Sequence, residues 1–108
     1  MSERRYVIPL THVDRMVVRQ DRKGHAVVAF SVQLEILVSG RWRKAMRFDS
    51  ADGHPHRQVF SADGSEYREE MVTTDNNEAF TQAQLACKRL FREIHERYIL
   101  ALERTHRT

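Results

Sequence analysis

Between Arg47 and Arg57 the chain reads RFDSADGHPHR, which brings arginines, carboxylates and two histidines into one short segment. A histidine oriented by a carboxylate exchanges a proton near neutral pH, and a neighbouring arginine can hold a phosphate or balance negative charge developing on one. Metal-free cleavage of RNA needs little more, because the 2′-hydroxyl of RNA is itself the nucleophile. On this reading His56 is the general acid or base, Asp49 its orienting partner, and Arg47 and Arg57 the phosphate clamps. Just upstream, RWRKAMR interleaves Arg41, Arg43, Lys44 and Arg47 with Trp42. At the two-residue period of a strand, Arg41, Arg43 and Arg47 share a face and form a basic ridge suited to backbone phosphates. Trp42, Met46 and Phe48 then have the opposite parity and belong to the core.

The same segment also reads as a turn. Asp-Gly between strands is a turn signal, and SADG occurs at residues 50–53 and again at 61–64, the second time with no histidine near it. Two registers are open. A two-residue Asp52-Gly53 loop sets Asp49 opposite His56, whereas a three-residue loop with a bulge sets Asp49 opposite Pro55. His54 and His56, two apart, could hold two positions of a metal, but His12, His25, His95 and His106 are scattered and spacing places no third ligand. No metal or cofactor is expected. No second acidic cluster of the kind a Mg²⁺-dependent nuclease uses is present either. Cys87, inside an apolar stripe, reads as packing.

Such a set needs a scaffold, and hydrophobic periodicity describes one. From Val13 to Val72 the spacing is two, and from Asn76 onward it is nearer 3.6. HAVVAFSVQLEILV puts Val28, Phe30, Val32, Leu34, Ile36 and Val38 on one face and Ala29, Ser31, Gln33 and Glu35 on the other, a long strand with one buried face. HVDRMVVRQ leads into it through DRKG, Ser39-Gly40 turns the chain into RWRKAMRFD, and each SADG turns it again. Short links make neighbours in sequence neighbours in the sheet. The expectation is an α+β fold, an antiparallel meander of about five strands over about 11–72 with one long helix over about 76–104 packed on one face.

That helix starts at Asp75, with Glu78 in the capping-box position. Phe80, Ala83, Cys87, Leu90, Ile94, Tyr98 and Ala101 form its apolar stripe, and Arg89 with Glu93, Arg92 with Glu96 and Glu93 with Arg97 are charge pairs four apart. Near its end Tyr98, Ile99, Leu100, Ala101 and Leu102 are apolar in succession, covering more than one helical face. A sheet covers only one. Tyr98, Ile99, Leu100 and Leu102 are therefore candidate interface residues for a homodimer or for one protein partner, unless the amino-terminal YVIPL folds back over them.

Composition bounds the rest. A chain of 108 residues, 41% hydrophobic and 31% charged, fits one globular domain spanning residues 1–108. One cysteine leaves no intramolecular disulfide and no zinc-finger pattern, which fits a reducing compartment. No segment has the length of a signal peptide's apolar region or of a membrane span, so the expected location is the cytoplasm, with no membrane partner. The formal net charge is only +3, yet fifteen of the 18 basic residues are arginine, whose planar fork matches phosphate and carboxylate.

The tryptophan strand, the Arg47-Phe48-Asp49 run, the Gly53 turn, His56-Arg57, the Asn77-Glu78-Ala79 helix start and the closing ERYILAL together resemble a group of small uncharacterised bacterial and archaeal proteins, over roughly residues 30–102. Over residues 47–57 the chain is more distantly similar to TumE-type toxins of toxin–antitoxin pairs, which carry an arginine-aromatic-aspartate strand before a histidine-rich segment. That likeness implies RNA as the target. The first reading is a small RNA-binding domain, extended to a metal-independent, toxin-like endoribonuclease using His56, Asp49 and Arg47, with Arg41, Arg43, Arg47 and Arg57 on the nucleic acid. The alternative is a non-enzymatic module that dimerises or binds a partner through its carboxy-terminal helix.

Overall fold

The computed structural model describes residues 2–106. Six strands follow one another, β1 (Ser2–Pro9), β2 (Asp14–Lys23), β3 (Ala26–Val38), β4 (Arg41–Asp49), β5 (His56–Phe60) and β6 (Glu66–Glu70), and the 30-residue helix α1 (Asn76–Thr105) comes last. Every pairing is antiparallel and the sheet order is β1-β2-β3-β4-β5-β6, as links of a few residues require. The α+β class and the single long helix stand as read from the sequence. The additional strand is β1. SERRYVIP carries no alternation and is exposed along nearly its whole length, so it gave no periodic signal; main-chain pairing holds it, with Tyr6 opposite Val18 and Ile8 opposite Met16.

α1 lies across β3 and β4. Met16, Val18, Phe30, Val32, Leu34, Ile36, Met46 and Phe48 of the sheet meet Ala79, Phe80, Ala83, Cys87 and Ile94 of the helix in one buried cluster. The rings of Phe30 and Phe80 sit 5.7 Å apart at its centre. Leu90 and Tyr98 extend the helical stripe as partly buried residues, and burial pushes the Cys87 thiol up to about 12, which removes it as a nucleophile. Of the charge pairs four apart, Glu93 and Arg97 close to 2.8 Å. Among the described residues no helix is long and apolar enough to cross a membrane.

Two β-bulges correct the face assignments. Between β2 and β3, Asp21 pairs with Ala29 and Arg22 with Val27, so Val28 is the extra residue: Val27 turns inward in its place and Val28 is 41% exposed. The bulge leaves main-chain groups free, and the start of α1 takes them. Asn77 Oδ1 accepts from Val27 N at 2.6 Å and Asn76 Nδ2 donates to Val28 O at 3.2 Å. Asp75 caps the helix by accepting from Asn77 N and Glu78 N, while Glu78 reaches Thr73 Oγ1. Between β3 and β4, Leu34 pairs with Met46 and Glu35 with Lys44, which makes Ala45 the second extra residue and buries Ala45 and Met46 together.

The turns behave as their residues suggest. Ser39 and Gly40 both have positive φ, 51° and 79°, in the two-residue link that pairs Val38 with Arg41. The second SADG is held by its own polar groups. Asp63 Oδ1 accepts from Ser65 N and Oγ, which holds the Asp63 carboxyl below its ordinary value.

Candidate functional site

The first SADG is neither of the two loops expected: residues 51–53 make a 3-10 turn, and β4 and β5 close at Asp49 and His56, the pair that the two-residue register had set opposite each other. Asp52 and Gly53 take positive φ of 64° and 76°, and Asp49 pairs directly with His56. With one face of the sheet under α1, the alternation of side chains places Asp49, His56, Arg47 and Gln58 on the other, open face. His56 Nε2 lies 2.8 Å from Asp49 Oδ1, and Arg47 Nε lies 3.0 Å from Asp49 Oδ2, so the carboxylate is shared between the two side chains. Arg47 also donates to Gln58 Oε1 at 3.1 Å. Arg47, Asp49 and His56 thus form one constellation.

Its geometry is that of a structural pair. The His56 side chain is 3% exposed, and its Nδ1 is 3.1 Å from the main-chain oxygen of His54. Both ring nitrogens of His56 thus face protein oxygens, and neither is left over for a substrate. A general base must reach the proton it takes. His54 lies outside the strand and turns to Glu70, 3.6 Å away. Among the described residues no group of three or more His, Cys, Asp or Glu forms that could hold a metal.

The arginines expected to act together are divided. Arg57 pairs with Phe48 in register and so lies on the helix-bearing side, where it holds Glu69 at 2.6 Å; Arg47 is on the open face. One phosphate cannot be clamped by both. The bulge at Ala45 likewise inverts the parity within β4, so Arg41 and Arg43 pair with Val38 and Ile36 on the helix side while Arg47 pairs with Gln33 on the other. There is no continuous Arg41-Arg43-Arg47 ridge. Trp42 also changes place: opposite Leu37 on the open face it stacks under the Arg15 guanidinium, 4.1 Å from its ring centre, rather than joining Met46 and Phe48 in the core.

What remains is a basic corner at the end of β4, with Arg41 and Arg43 toward the helix side and Lys44, opposite Glu35, toward the open face. β4 runs on past its last pair with β5, Met46 with Val59, and there Arg41, Arg43 and Lys44 are exposed. Arg43, Lys44, Ser61, Ser65 and Tyr98 border a hollow of about 200 Å³, with Lys44 Nζ 4.3 Å over the Phe60 ring. Among the described residues Arg41, Arg43 and Lys44 stand outside every ion pair, whereas Arg47 and Arg57 are both committed.

A second histidine–carboxylate pair escaped the spacing argument. His95 Nδ1 on α1 is 2.6 Å from Asp14 Oδ1 at the start of β2, and Thr11 Oγ1 donates to Asp14 Oδ2 at 2.5 Å. Thr11 and His95 meet the same carboxylate rather than each other, so the group braces helix to sheet and is no nucleophile–base relay. The sequence did hold a signal for it. Asp14 shares parity with Met16 and Val18, and a carboxylate on a buried face requires a partner.

The candidate interface divides as well. Tyr98 packs against the core, Ile99 and Leu102 are half-buried, and Leu100 is 51% exposed, bordering an open apolar hollow of about 430 Å³ with His95, Glu96 and Ile99. YVIPL is occupied in β1 and the turn after it, where Ile8 and Leu10 pack on the core.

No curated protein and no solved structure matches the chain. A family model does, over residues 1–108, and it carries no link to TumE-type toxins. The chain belongs to the DUF7718 family, described as a domain of unknown function.

Proposed function

We propose that this domain binds RNA through the corner formed by Arg41, Arg43 and Lys44, and that His56 takes no part in cleavage. The observation that carries the reading is that these three cations lie within four residues of one exposed strand end, outside every ion pair among the described residues, with Arg43 and Lys44 bordering the same hollow as Ser61, Ser65 and Tyr98. Free guanidinium and ammonium groups release counterions when they take phosphates, so affinity falls as salt rises. Three phosphate contacts on a single strand correspond to a slope of log K against log salt of about −2, and Arg41→Ala with Arg43→Ala reduces it to about −0.7. Fluorescence anisotropy with a labelled single-stranded RNA across a salt series checks both values. A slope unchanged in the double variant removes the corner from the account.

A second reading, self-association, is favoured by the outward face of α1. Leu85 and Leu100 are 53% and 51% exposed, and Leu100 borders the apolar hollow with Ile99. Two copies of α1 crossing antiparallel about a two-fold axis between Arg92 and Glu93 set Leu85 against the partner's Leu100 and Arg89 against the partner's Glu96. Each leucine buried there contributes about 1.5 to 3 kcal/mol before association costs are subtracted. Sedimentation at micromolar concentration should give twice the chain mass, and Leu100→Glu should return it to one. A wild-type monomer rejects this reading and leaves the RNA corner untouched.

A further inference from the structure

We propose that the open face of the sheet is a second, separate anion site, a groove of about 400 Å³ that takes a small phosphate monoester. The register lays one row of side chains straight across five strands: Arg5 opposite Arg19, Arg19 opposite Ser31, Ser31 opposite Asp49 and Asp49 opposite His56. Two arginines directly opposite each other repel unless something negative lies between them. Glu3 pairs with Arg5, and Asp21 pairs with Arg19 only loosely, at 3.7 Å, beyond hydrogen-bonding range. The third arginine, Arg47, comes from the adjacent row on β4, two strand spacings or about 10 Å from β2.

Between Arg19 and Arg47 the floor is low at one place. β3 presents Ala29, Ser31 and Gln33 there, with Val17 beside them, so the small side chains of Ala29 and Ser31 leave a depression among longer polar ones. Asp49 also borders the groove, its two oxygens facing Arg47 and His56. The donors are unfinished. Arg19 Nε and Arg47 Nε are buried without a hydrogen-bond partner, the latter in spite of lying 3.0 Å from Asp49, because the angle is poor. Those Nε atoms are closed off from the groove, but the Arg19 and Arg47 side chains are 39% and 30% exposed, so a tetrahedral oxyanion seated over Ser31 would meet the outward ends of both guanidiniums. Arginine forks and a serine hydroxyl recognise a terminal phosphate, while Val17 and Ala29 offer apolar contact to the organic part of a monoester.

Arginine Hε resonances read this site directly. Titration with ribose 5-phosphate should shift the Hε signals of Arg19 and Arg47, and Arg19→Gln should weaken binding at least tenfold. Ser31→Leu, which fills the floor while leaving every arginine in place, should abolish it. Comparing the free monoester with 5′-phosphorylated and 5′-hydroxyl RNA of one sequence identifies the source. Tighter binding of the phosphorylated end assigns a chain terminus and tighter binding of the free monoester a soluble metabolite, and both support the site. Arg19 turned on to Asp21, whose Oδ1 is likewise unpartnered, would leave the Arg19 signal unmoved, and that result overturns the proposal. So do shifts confined to Arg41 and Arg43, which would leave the RNA corner standing.

Discussion

Asp49→Ala is expected to lower the unfolding free energy by about 3 to 5 kcal/mol, the range for breaking a buried charge pair by removing one partner. The His56 side chain is 3% exposed and that of Asp49 13%, so the ring left behind would have neither its partner nor water. Arg47, 30% exposed, can turn toward solvent and adds less. Asp49→Asn keeps a hydrogen-bond acceptor for His56 while losing the charge, and should fall between wild type and alanine. Urea denaturation of the three proteins measures the order. A loss under about 1 kcal/mol for Asp49→Ala, the size of a surface ion pair, would mean that His56 is accessible in solution and would reopen the acid–base reading. The same reasoning governs any ribonuclease assay. A His56 variant that loses activity must first be shown to be folded.

Phe30→Ala should cost a similar 3 to 5 kcal/mol by a different route, the cavity left in a close-packed core. Phe30 is 1% exposed, faces the Phe80 ring at 5.7 Å and sits where the middle of the sheet meets the helix. For a domain of this size each kcal/mol moves the melting temperature by about 4 to 8 °C, so the variant should melt at least about 12 °C lower. Val28→Ala, two positions away on a strand otherwise alternating in and out, should stay within about 0.5 kcal/mol because the bulge turns that side chain outward. Val27→Ala should be the costlier of the valine pair. Equal losses at Val27 and Val28, measured by thermal or urea unfolding, would contradict the bulge.

Much of the scaffold was legible because it follows from period and punctuation. The alternation of β3, the glycine turns and the Asp75 cap each have a local cause. What failed was parity across an inserted residue. A bulge at Ala45 moved Arg41 and Arg43 to the face opposite Arg47 and carried Trp42 out of the core. Its trace in the sequence is two consecutive apolar residues, Ala45-Met46, and Val27-Val28 marks the other bulge in the same way. Asp49 and His56 do meet, as one of the two open registers set them, although the link is a longer one built on a 3-10 turn over residues 51–53. Their depth was not legible, since residue type says nothing about how completely neighbours close over a pair. The Asp14–His95 contact joins residues 81 apart in the chain, beyond anything local spacing can see.

The strand order β1-β2-β3-β4-β5-β6 also fixes a sequence of events during synthesis. Each strand pairs with the one made just before it, so the sheet can zip up hairpin by hairpin, with microsecond local closures and no long loop to wait for. The helix is made last. Until residues 76–105 leave the ribosome, the face bearing Met16, Val18, Val32, Leu34 and Ile36 has nothing to rest against, and the free main-chain groups at Val27 and Val28 have no Asn76 or Asn77 to meet. A sheet that closed before the helix emerged would carry a bare apolar side, the form most prone to stick to its own kind. Arrival of the two asparagines at the bulge would end that state by anchoring the first turn of the helix, from which the remaining turns can settle along the sheet.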